Sequence, residues 1–117
     1  MGINISLQND TTGNLTLNYA DLGAGQCIFV RDNSYTVGPN ALSQIVYVSC
    51  ADTQAVYNIT ESATLTLEWW DDANVWEMSA TIQGSTEYAA SGFAESTVDS
   101  SGNYNFTITL GKVTESA

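Results

Sequence analysis

Histidine is absent from the 117-residue chain, and Lys and Arg together number only 2. Without histidine no Ser-His-Asp or Cys-His constellation can be assembled, which leaves Lys112 as the only amine base. Against 13 Asp and Glu, the two basic residues leave a net charge of −11. Such a chain has no basic patch to displace counterions, so nucleic acid is excluded as a natural ligand. Anionic lipid is excluded on the same ground, whereas a neutral or zwitterionic headgroup is compatible with the charge. Apolar runs are only a few residues long, too short for a bilayer-spanning helix. The opening Met1-Gly-Ile-Asn-Ile-Ser6 has neither a basic n-region nor an apolar h-region. The expectation is a protein made in the cytoplasm without a signal peptide and released by a non-classical route. Cysteine is limited to Cys27 and Cys50, too few for a zinc site in a chain without histidine. A bridge between them would contribute about 3 kcal/mol by chain entropy; in a leaderless chain free, buried thiols are expected.

A helical period of useful length is missing too, and the two-residue period of strands is everywhere. Ile3, Ile5 and Leu7 alternate with Asn4, Ser6 and Gln8; after the turn-forming Asn9-Asp-Thr-Thr-Gly13, Leu15, Leu17 and Tyr19 alternate again. This reads as an opening β-hairpin. Further strands are expected at Cys27–Val30, Ser43–Cys50, Val56–Thr60, Thr64–Trp70, Val75–Gln83, Glu87–Ala94 and Asn103–Leu110. In the fourth of these, 64–70, all inward positions are apolar. A long polar excursion, with the single proline at Pro39, covers 31–40. The fold class expected is an all-β, antiparallel β-sandwich of about eight or nine short strands, 1–117 forming one domain.

All three tryptophans lie in Thr64-Leu-Thr-Leu-Glu-Trp-Trp-Asp-Asp-Ala-Asn-Val-Trp76, a strand, an acidic turn and the start of a return strand. Leu65, Leu67 and Trp69 share one face, while Thr64, Thr66, Glu68 and Trp70 share the other. One indole therefore follows the leucines inward, and its neighbour points away with a glutamate. An indole beside carboxylates attracts a cation, above all a quaternary ammonium, and an exposed Trp suits the membrane–water interface. The competing explanation is two core tryptophans and one that covers a sheet edge. Candidate headgroup contacts are Trp69, Trp70, Asp71, Asp72 and Trp76, with Tyr35 of the long loop as a helper. The same acids with Glu77 invite a glycosidase or a calcium site. Strand ends carry acids to stay solvated, however, and the spacing departs from an EF-hand loop, so neither an enzyme nor a metal is expected. No cofactor is expected either, since Gly23-Ala-Gly25 lacks the helix and third glycine of a phosphate loop. Gly2 fits a myristoylation pattern that a strand start also explains. The Asn-x-Ser/Thr triplets at Asn4, Asn9, Asn14, Asn58 and Asn105 matter only in a secretory pathway.

Several segments together resemble the aegerolysins, and most of all the small partners of binary insecticidal crystal toxins. They are Ile3–Gly13, Leu15–Leu17, Asp21–Gly25, Val46-Tyr-Val-Ser-Cys50, Ala63–Asp71 and Asn103–Lys112, spread over nearly the whole length of the chain. Two departures stand out. The corner after Trp70-Asp71 continues Asp72-Ala-Asn74 without the family's proline, and Gly23-Ala-Gly25 lacks a tryptophan. Both loops are implicated in lipid recognition, so the resemblance does not fix the lipid. It implies a β-sandwich that binds a membrane lipid, often a sphingolipid, and recruits a larger pore-forming protein. Two other readings of the residues stand beside it. One is a sugar-binding sandwich in which the same Trp stacks on a pyranose; the other is an assembly protein, a homo-oligomer whose exposed strands pair with neighbours.

Overall fold

A computed structural model describes residues 2–21, 36–49, 53–73, 75–93 and 96–113. Alternation is realised as ten strands: β1 (Ile3–Asp10), β2 (Leu15–Asp21), β3 (Thr36–Val37), β4 (Leu42–Ser49), β5 (Thr53–Asn58), β6 (Thr64–Asp72), β7 (Val75–Gln83), β8 (Tyr88–Ser91), β9 (Thr97–Val98) and β10 (Tyr104–Lys112). They form two five-stranded sheets. One runs β4-β1-β10-β8, with β9 also on β10; the other runs β3-β2-β5-β6-β7. One core fills the space between them. From the first sheet come Ile3, Ile5, Leu7, Phe106, Ile108 and Leu110; from the second come Leu15, Tyr57, Leu65, Leu67 and Trp69. Each fully buried aliphatic side chain of this kind contributes about 1.5–3 kcal/mol. The all-β sandwich expected from the alternation is the fold observed. The strands at Cys27–Val30 and the two cysteines lie outside the described residues.

The opening hairpin is corrected. β1 and β2 lie in different sheets, so residues 11–14 carry the chain from one sheet to the other. β1 has no free edge for β2, because β4 and β10 occupy both of its sides. The side chain of Asn9, buried, holds this crossing. Its Nδ2 donates to the carbonyls of Gly13 and Val37 at 2.8 Å each, and its Oδ1 accepts from the Thr11 N–H at 2.9 Å. The turn chemistry of residues 9–13 is real, but an Asn that bonds its own backbone two residues on serves a crossing as well as a hairpin.

Pairing between β1 and β10 is parallel, in the register Ile5↔Phe106 and Leu7↔Ile108, so the ladders are not all antiparallel. β4 also departs from simple alternation. Its pairing with β1 shifts between Ile5↔Val46 and Ser6↔Gln44, and Ile45 and Val46 are both fully buried. A bulge there turns two successive side chains to one face. β5 begins at Thr53, three residues before the expected start.

The β5-β6-β7 meander positions the tryptophans. Residues 59–63 turn on the Ile59 N–H, which donates to the Ala63 carbonyl at 2.8 Å; Thr60 Oγ1 accepts from the Ala63 N–H at 3.1 Å. β6 and β7 then pair along their full length, from Thr64↔Gln83 to Asp72↔Val75, with two residues between them. Gly84 follows at φ +86, where an added Cβ would lie 1.8 Å from the Ser62 carbonyl oxygen.

Candidate functional site

Alternation along β6 separates the adjacent indoles. Trp69 is 1% exposed and packs in the core with Leu65 and Leu67, whereas Glu68, Asp71 and Asp72 are exposed and Trp70 is half-buried on the outer face. The ring of Trp69 thus offers no surface to a headgroup, a correction to its place among the candidate contacts. Trp76 is 4% exposed and also belongs to the core, yet it lines a surface groove described below. Tyr35 lies outside the described residues.

Counting outward from Asp72↔Val75, Trp70 stands directly opposite Glu77. The indole Nε1–H donates to Glu77 Oε2 at 3.1 Å. The contact fixes the ring against the sheet and satisfies its only polar group, which leaves a flat π-surface partly open to solvent. Glu77 was not among the expected site residues. Its part was nonetheless readable, since a two-residue turn dictates which residues face each other across a hairpin. Ala73, just after β6, has φ +52, a left-handed conformation that a residue with a Cβ adopts at a cost.

β7 ends its sheet, and beside it runs a groove of about 420 Å³. Trp70 and Glu77 line it from the outer face of the hairpin and Trp76 and Met78 from the core side; Phe93 and Ser96 line it from the segment after β8. Phe93 and Ser96 come from a remote segment that nothing in the local alternation connects to the hairpin. The groove holds aromatic faces and a carboxylate. Lys112, the only cation among the described residues, lies elsewhere, by Glu87. Among the described residues no three acidic or other metal-ligating side chains come together. An aromatic and acidic lining without positive charge suits a cationic or neutral group and repels a free anion.

A second, smaller hollow of about 290 Å³ also involves Ser96. Its other lining residues are Gly92, Thr97, Asn105 and Thr107, all uncharged. No family model matches the chain, and no curated protein does.

Proposed function

We propose that this chain is a non-enzymatic, membrane-lipid-binding protein of the aegerolysin kind, the smaller component of a two-component pore-forming toxin, cytolytic or insecticidal. It acts at target-cell membranes. The carrying observation is Trp70, a half-exposed indole pinned by Glu77 at 3.1 Å beside the exposed Asp71 and Asp72. In this reading the ring enters the interface and the carboxylates orient a headgroup's cationic or hydroxyl-bearing end. Trp76 serves as a wall of the groove, and Trp69 serves the fold alone. The net charge of −11 supports a neutral or zwitterionic lipid, a sphingolipid among them. The larger pore-forming partner rests on the family resemblance.

Flotation with vesicles tests the reading. Wild-type protein should float with at least one neutral or zwitterionic composition and stay behind with purely anionic ones. Trp70→Ala should remain in the soluble fraction with an unchanged far-ultraviolet dichroism spectrum. Failure of the wild type to bind any vesicle, or full binding by Trp70→Ala, refutes the proposal. Co-sedimentation of a larger partner only in the presence of this protein is the expected sign of the two-component arrangement.

A further inference from the structure

The smaller hollow is unlike the groove it adjoins. Thr97, Asn105, Thr107 and Ser96 present hydroxyls and one amide, with neither a charge nor an aromatic ring. Asn105 is held in place, its Oδ1 accepting from Asn4 Nδ2 at 2.9 Å and its Nδ2 donating to the Asn103 carbonyl at 3.2 Å. Thr107 is exposed on the outer side of β10, between the inward Phe106 and Ile108. Gly92 brings backbone close to this strand. At φ +94 an added Cβ would lie 2.0 Å from the Thr107 carbonyl oxygen, so this close approach to β10 requires glycine. Along the same outer face the uncharged Asn4, Ser6 and Gln8 of β1 stand in register with Asn105, Thr107 and Thr109 of β10. Carboxylates stand at its borders, Asp99 Oδ2 accepting from Asn105 Nδ2 at 3.5 Å and Asp10 Oδ1 from Gln8 Nε2 at 3.0 Å.

Hydroxyl and amide groups offer both donors and acceptors at short spacing, as a polyol requires and a quaternary ammonium does not. A net −11 disfavours an acidic sugar. At about 290 Å³ the hollow is at the lower end of the range for small-molecule sites, room for one ring. Ser96 joins it to the groove of Trp70 and Phe93, whose aromatic faces match the apolar side of a pyranose or the first carbons of a lipid.

We infer that the two hollows meeting at Ser96 form one site for a neutral hexosyl group, the sugar of a glycosylated lipid. The inference rests on the lipid-binding reading and narrows it. The sugar hydroxyls bond to Thr97 and Thr107, and the apolar part lies along the aromatic groove.

The test compares phosphatidylcholine vesicles containing a neutral monohexosylceramide with the same vesicles containing unglycosylated ceramide. Methyl hexosides serve as soluble competitors. Thr97→Val/Thr107→Val removes the two hydroxyls while keeping the β-branched shape; its melting temperature should match wild type. Expected results are preference for the hexosyl vesicles, competition by a methyl hexoside, and binding about tenfold or more weaker in the double variant. Equal binding to both vesicle types that depends on Trp70 would overturn the sugar inference and leave the lipid-binding reading standing. Hexosyl-specific binding untouched by the double variant would also overturn it, because the sugar would then sit elsewhere. Binding of free hexoside with no vesicle binding would overturn both the lipid source and the lipid-binding reading.

Discussion

Replacing each of the adjacent tryptophans by alanine separates a core residue from a surface one in a single pair of proteins. Trp69 is 1% exposed, and a buried Trp→Ala change costs about 3–5 kcal/mol through lost transfer energy and the cavity left behind. Trp70 is half-buried and contributes one exposed hydrogen bond to Glu77 and partial cover of the outer face. Its loss should cost about 1 kcal/mol. For a chain of this size, 1 kcal/mol moves the melting temperature by about 4 °C. Trp70→Ala should therefore melt about 4 °C below wild type and Trp69→Ala about 12–20 °C below, a large fraction of a typical domain's stability. The assay is thermal melting followed by far-ultraviolet dichroism, because emission changes when a fluorophore is deleted. Equal losses at the two positions would refute the assignment of one ring to the core and the other to the surface.

Three further outcomes follow from the backbone and from one carboxylate. Gly84→Ala sets a Cβ 1.8 Å from the Ser62 carbonyl at φ +86 and should lower stability by more than about 1 kcal/mol in urea unfolding; a neutral result would mean the β5–β6 turn does not approach that glycine. Ala73→Gly relieves a left-handed alanine at φ +52, and the strain removed exceeds the added chain entropy, so a gain of about 0.5–1 kcal/mol is expected in the same assay. The Asp99 carboxyl is held below its ordinary value, first by the Asn103 N–H, then by bonds from Ser101, Asn105 and Gly102 working against desolvation. A depressed folded value means that its stabilisation is present above the unfolded value and is lost as pH falls through the folded one. Asp99→Asn should consequently be less stable than wild type at neutral pH, with the gap in urea midpoint closing below about pH 4; a gap independent of pH contradicts the role given to the carboxylate.

Alternation made the sandwich and the division of labour between Trp69 and Trp70 legible, because a hairpin with one buried face gives its register no freedom to slip. The Trp70–Glu77 pair was within reach by counting from the two-residue turn, though local composition drew attention to Asp71 and Asp72 instead. Other features lie beyond a strand-by-strand reading. Asn9 and its neighbours carry the same turn residues whether the chain folds back on its own sheet or crosses to the other, and the choice depends on β4 and β10 having filled both edges of β1. The parallel pairing of the first and last strands joins residues about one hundred positions apart, with no local signal. The bulge that buries both Ile45 and Val46 breaks the period a sequence reading relies on. Phe93 and Ser96 reach the hairpin only through the packing of the sheets, which is why the groove and the hollow beside it were invisible in the sequence.

Emission from Trp70 alone tests the central claim most directly. In a Trp69→Phe/Trp76→Phe protein the remaining indole reports on its own surroundings while neutral or zwitterionic vesicles are added. Headgroup contact at this hairpin predicts a blue shift and protection from an aqueous quencher that rise together with the vesicle-bound fraction. Unshifted emission and undiminished quenching from protein that floats with the vesicles would show that the membrane is met by some other surface.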